Sequence, residues 1–206
     1  MTARLSIGAL ALAVLAVPTM RAAQAPATTP SEKLEITAFA VNMSNIATGA
    51  NATVRIRIDS WTPDAERERI IMTMIEKGPD ALLRELQKAP VRGRWNIPGM
   101  RQPDPHQLGL GHDIHYARQT PLPDGGKRIV VATDRYIGFG EARNRPRSID
   151  YPFTLMQIQV NAQGKGEGKM AVATKIAFDK EKKTMELENY SSEPVRLQNL
   201  EVKVKS

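Results

Sequence analysis

The chain has no cysteine in 206 residues. That excludes disulfides, thiolate catalysis and every metal site built on cysteine. It has only three histidines, and no H-E-x-x-H. No serine lies in G-x-S-x-G, and S-x-x-K is missing after the N-terminal segment, so the local signatures of zinc proteases and common serine hydrolases are missing. Gly164-Lys165-Gly166-Glu167-Gly168 is neither a dinucleotide fingerprint nor a phosphate loop, and Gly138-Phe139-Gly140 lacks a strand-to-helix setting. Gly164 to Gly168 instead reads as a flexible hairpin turn. No cofactor and no metal are expected.

Long apolar runs are also missing. The longest, Leu5 to Val17, follows a short segment carrying Arg4 and stops at Pro18. As a helix it would reach about 20 Å, short of a hydrocarbon core of about 30 Å. A terminal run of this kind before small residues reads as a cleavable export signal over residues 1–25, with the cut between Ala23 and Ala27 and no transmembrane anchor. The expected location is periplasmic or secreted. Removing Arg4 and Arg21 takes the formal charge from +7 to +5. The remaining charges are interspersed, which favours solubility and gives no reason to expect nucleic acid.

About 180 residues remain, enough for one domain to bury a core without covalent staples. Residues 26–33 read as a disordered Pro/Thr/Ala linker, and 34–206 as a single domain. Leu34 to Met43 reads as a strand whose inward set moves from Leu34 and Ile36 to Phe39, Val41 and Met43 across a bulge near Ala38. Thr53 to Asp59 alternates, with Val54, Ile56 and Ile58 on one face. Thr62 as N-cap and Pro63 at the first helical position open a helix to Lys77, which Gly78 stops. Pro79 opens a second helix, which Pro90 ends. Further strands are expected at Val91 to Ile97, Ile114 to Gln119, Lys127 to Thr133, Phe153 to Val160, Lys169 to Phe178, Thr184 to Asn189 and Val195 to Val204. In Lys169 to Phe178, the residues Met170, Val172, Thr174, Ile176 and Phe178 share a face. The unbroken Ile129-Val130-Val131-Ala132 marks a central strand. The class is α+β: a mostly antiparallel curved sheet or partly open barrel of about eight strands, packed with one helical hairpin.

Two regions could carry function. His106, His112 and His115 lie within ten residues, with Asp104 and Asp113 among them. On a regular strand His112 would share a face with Ile114 and Tyr116, and His115 the other face with Asp113 and Ala117, which works against a shared metal. The second region is Asp134 to Tyr151, a long segment without periodicity that carries Arg135, Arg143, Arg145 and Arg147 among Tyr136, Phe139 and Tyr151. Arginine forks suit carboxylate and phosphate, so these four form a candidate anion-binding set. The alternative is a structural loop whose arginines pair with Asp134, Glu141 and Asp150.

Three stretches together resemble a family of exported bacterial proteins of unknown function: Trp61 to Arg67, Tyr116 to Gly126 and Glu141 to Arg147. The resemblance implies export and a single domain, and carries over no functional residue. The functional expectation is a non-catalytic binding or interaction protein meeting an anionic small molecule, peptide or envelope polymer through the arginine-rich segment. The alternative is a periplasmic or secreted hydrolase with a site built from loops.

Overall fold

The computed structural model describes residues 31–43, 49–99, 111–135, 137, 152–171, 176–179, 184–187 and 195–205. The chain runs through β1 (Lys33–Asn42), β2 (Asn51–Ile58), α1 (Asp64–Lys77), α2 (Pro79–Lys88), β3 (Gly93–Asn96), β4 (His112–Pro121), β5 (Lys127–Thr133), β6 (Leu155–Val160), β7 (Lys165–Ala171), β8 (Ile176–Asp179), β9 (Thr184–Leu187) and β10 (Val195–Lys205). Eight of these strands close a barrel in the order β1-β10-β7-β6-β5-β4-β3-β2, with every neighbouring pair antiparallel. Among the described residues, β8 and β9 pair with each other as a separate two-stranded sheet.

The expected antiparallel sheet with a helical pair is therefore present, but the barrel is closed rather than open. The first and last strands complete it, from Lys33 opposite Lys205 to Asn42 opposite Val195. Closure gives each of the eight strands a paired neighbour on both sides over part of its length.

An eight-stranded barrel is just wide enough for side chains to fill its interior, and here they do. Ile36, Ile56, Ile114, Ile129, Met156 and Leu197 are each 0% exposed, and Trp95 only 2%. Among the described residues these side chains form one apolar cluster that fills the barrel core. The outer face reverses this pattern. Arg55 and Arg57 on β2, Gln159 on β6, Glu167 and Lys169 on β7, and Arg196 and Gln198 on β10 are exposed. A membrane-spanning barrel is apolar outside and polar within, so this barrel is built for water on its outer face. No helix among the described residues is long and apolar enough to cross a membrane.

The helical hairpin covers one stretch of that outer face. Ile70, Ile71 and Met74 of α1 and Leu82 and Leu86 of α2 pack on Tyr116, Val130, Ala132, Phe153 and Leu155. β5 is thus buried on both sides, with Ile129 and Val131 in the barrel and Val130 and Ala132 under the helices. This accounts for its unbroken apolar run. Each fully buried Leu or Ile contributes about 1.5–3 kcal/mol. Gly78 ends α1, its φ of 79° lying in the left-handed region and its N–H donating to the Met74 carbonyl at 3.0 Å.

Several local expectations change. Pro63 rather than Thr62 occupies the N-cap position, and no side chain caps α1. The Thr62 hydroxyl is used elsewhere, accepting from the Ala117 N–H at 3.0 Å. In β1 the register does shift between Thr37 and Phe39. The extra residue, however, belongs to β10, where Asn199 adopts φ 48° and the register shifts against β7 as well. The inward set of β1 therefore never switches: Leu34, Ile36, Ala38 and Ala40 are all buried, and Phe39 is 37% exposed. Glu32 and Lys33, placed in the linker on sequence grounds, are part of the built structure. The Glu32 carbonyl accepts from Trp61 Nε1 at 2.8 Å, and its carboxylate accepts from Gln119 and Lys127.

Only Gly164 of the Gly-rich segment belongs to a turn, and Lys165 onward is strand. The turn is Asn161 to Gly164, where the Asn161 side-chain oxygen accepts from the Gln163 and Lys165 N–H groups, each at 3.0 Å, and Gly164 takes φ 74°. Gly166 and Gly168 lie within β7, because a Cβ on Gly166 would fall 1.9 Å from the Gln159 carbonyl oxygen of β6. The strand expected over Lys169 to Phe178 is also divided. β7 ends at Ala171, where it still pairs with Leu155 of β6. Ile176 to Asp179 joins the separate hairpin.

Candidate functional site

β4 carries a bulge. Ile114 faces Thr133 and Tyr116 faces Ala132, so His115 is an extra residue on the β4 side. The expected alternation fails there. Ile114 and Ala117 both point into the barrel, and Tyr116 points out under the helices. Burial, the main cause, pushes the Tyr116 phenol up to about 12.

The two described histidines lie apart, as alternation alone also has it. His112 lies opposite Trp95 across the β3–β4 ladder, the ring centres 5.6 Å apart. Its Nδ1 and the Trp95 Nε1 are buried and have no hydrogen-bond partner among the described residues. Burial, and then the Arg135 charge, hold its pKa below the usual 6.5. His115 instead turns toward the end of α2, where its Nδ1 donates to the Ala89 carbonyl at 2.8 Å. Its Nε2 lies 3.8 Å from an Asp134 oxygen. His106 and Asp104 lie outside the described residues. Among the described residues, no three His, Asp or Glu side chains are grouped to hold a metal ion.

Of the four candidate arginines, Arg135 is described, and Arg143, Arg145 and Arg147 lie outside the described residues. Arg135 grips the Asp134 carboxylate with two N–H groups at 3.1 and 3.3 Å. The start of the segment is pinned to the barrel. Thr133 Oγ1 donates to the Arg135 carbonyl at 2.6 Å, and the Ile137 N–H donates to Thr154 Oγ1 at 2.9 Å. Ile137 is itself part of the barrel core.

A third region was not legible as a site in the sequence. On the outer face of β6, β7 and β10 lies a groove of about 340 Å³ lined by Gln157, Gln159, Glu167, Lys169, Arg196 and Gln198, with Gly168 and Leu197. The polar members are the outward positions of strands whose alternate residues, Met156, Ile158, Met170 and Leu197, fill the barrel. Alternation marks each as exposed, but only the pairing of β7 with both β6 and β10 brings them together.

These features define a closed antiparallel barrel of eight strands with a packed apolar interior, a polar exterior and a docked helical pair. Comparison with protein-family models, curated proteins and solved structures finds no match to this chain.

Proposed function

We propose that the chain is an exported bacterial protein, periplasmic or secreted, that binds an anionic partner without catalysing a reaction. The filled barrel carries this reading: among the described residues apolar side chains occupy the barrel core, so a partner is met on the outer surface or on the segments leaving the barrel. The segment after β5 is the proposed contact. It leaves the barrel from an anchored start at Thr133 and Ile137, and Arg135, Arg143, Arg145 and Arg147 are its anion-binding residues. The polar outer face and the three family-like stretches support an exported single domain in the same proposal.

Native mass spectrometry of mature protein isolated from its own compartment tests this. It should reveal a co-purifying anionic ligand, and the triple variant R143A/R145A/R147A should lose it. Unchanged capture by that variant rejects the arginine contact. Turnover of an ester, amide or glycoside by the purified protein would favour the hydrolase alternative.

A further inference from the structure

The groove on β6, β7 and β10 has a chemistry of its own. Its outward side chains form two rungs. Gln157, Lys169 and Arg196 lie opposite one another on the first. Gln159 and Glu167 form the second, beside Gln198 at the β10 bulge. That bulge, with Asn199 at positive φ, bends β10 away from β7 at this point. The groove size falls near the lower end of ligand sites, about 300–1,000 Å³, which suits one or two small rings.

The lining selects for a polar ligand. Each of the three carboxamides offers both a donor and an acceptor, which matches hydroxyl groups that also do both. Lys169 and Arg196 lie directly opposite each other on β7 and β10, so that two cationic donors border the same space. A carboxylate between them would be held by two charge-assisted hydrogen bonds. Glu167 can accept from hydroxyls and repels a second negative charge. At the rim, Phe39 stands outward on β1 opposite Gln198 and is 37% exposed. Its face is apolar surface of the kind that the C–H side of a sugar ring covers.

We propose that this groove binds an acidic sugar, a hydroxyl-rich ring bearing a single carboxylate. The carboxylate lies between Lys169 and Arg196, the hydroxyls meet Gln157, Gln159, Gln198 and Glu167, and the ring edge reaches Phe39. The site uses none of the arginines of the segment after β5, so each assignment stands or falls separately.

Amide chemical-shift titration of isotope-labelled mature protein tests it, with glucuronate, glucose, acetate and inorganic phosphate as probes. Glucuronate should move the amides of Gln157, Gly168, Lys169 and Gln198 and saturate. Glucose should bind at the same place at least about tenfold more weakly. K169Q/R196Q should bring glucuronate down to the affinity of glucose, and F39A should weaken both sugars alike. Should the charge variant fail to fold, Q157A/Q159A should weaken both sugars. R143A/R145A/R147A should leave groove binding unchanged. The proposal is overturned if glucuronate leaves the groove amides in place, if acetate or phosphate binds as tightly, or if a folded groove variant binds glucuronate like the parent.

Discussion

Thr62 and Ala117 bind each other twice: the Thr62 N–H donates to the Ala117 carbonyl at 2.8 Å, and the Ala117 N–H donates to the Thr62 hydroxyl at 3.0 Å. The pairing stands where β3 no longer covers β4, since the β3–β4 register ends with Gly93 opposite Ile114. Thr62 takes up that edge and fixes where α1 begins. Arg118 reinforces it through Asp64 at 2.8 Å. Thr62→Val keeps the shape and leaves a buried N–H without an acceptor, a cost of about 1–3 kcal/mol. Thr62→Ser should stay close to the parent. Denaturant midpoints of the two variants measure the difference.

Gly166 should tolerate no side chain. Gly166→Ala places a Cβ against the Gln159 carbonyl oxygen, which belongs to the β6 backbone and has no room to swing aside. The expected loss is about 1–3 kcal/mol, the usual range for overpacking. Thermal unfolding of G166A against the parent gives the answer, and an unchanged midpoint would contradict the close approach of β6 to β7.

Acid should destabilise the fold in two stages. Burial makes the His112 ring harder to protonate, so between its lowered folded value and pH 6.5 the unfolded chain binds a proton more readily than the folded chain. Its contribution is full above that pH and drains as pH falls toward the lowered folded value. The Glu32 carboxylate is held below its usual 4.5, first by the Lys127 hydrogen bond and then by Gln119. Its contribution is present above pH 4.5 and is lost as pH falls through its own lowered value. In urea titrations across pH, His112→Phe should flatten the first stage, and Glu32→Gln should flatten only the second.

Tyr116 should be slow to ionise. The sequence has four tyrosines, and this one, buried under α1 and α2, is raised to about 12. An alkaline absorbance titration should show a late step that disappears in Tyr116→Phe. If the late step survives that substitution, the helical pair does not cover β4 as described.

Leu86 measures how firmly the helices dock. It is 1% exposed in the cluster facing β4 and β5. Leu86→Ala should cost about 2–5 kcal/mol, read from denaturant unfolding.

The sequence by itself determined the elements whose signals are local. Pro63, Gly78, Pro79 and Pro90 bracket the two helices, and alternation in Val54, Ile56 and Ile58 marks β2. The apolar run Ile129 to Ala132 identifies a strand covered on both sides. These depend on neighbouring residues and survive in any context. Tertiary structure decided what depends on partners distant in the chain. Closure rests on β1 meeting β10, and neither strand names its partner. The bulge opposite Ala38 fell on Asn199, because a register shift seen from one strand does not say which strand holds the extra residue. Tyr116 and Ala117 exchanged faces because β4 bulges against β5 at His115, and the glycines of β7 became strand because the β6 backbone approaches them. The candidate groove is of the same kind. Each of its glutamines and charges reads alone as ordinary exposed surface, and only adjacent strands with a shared outward face make them one site.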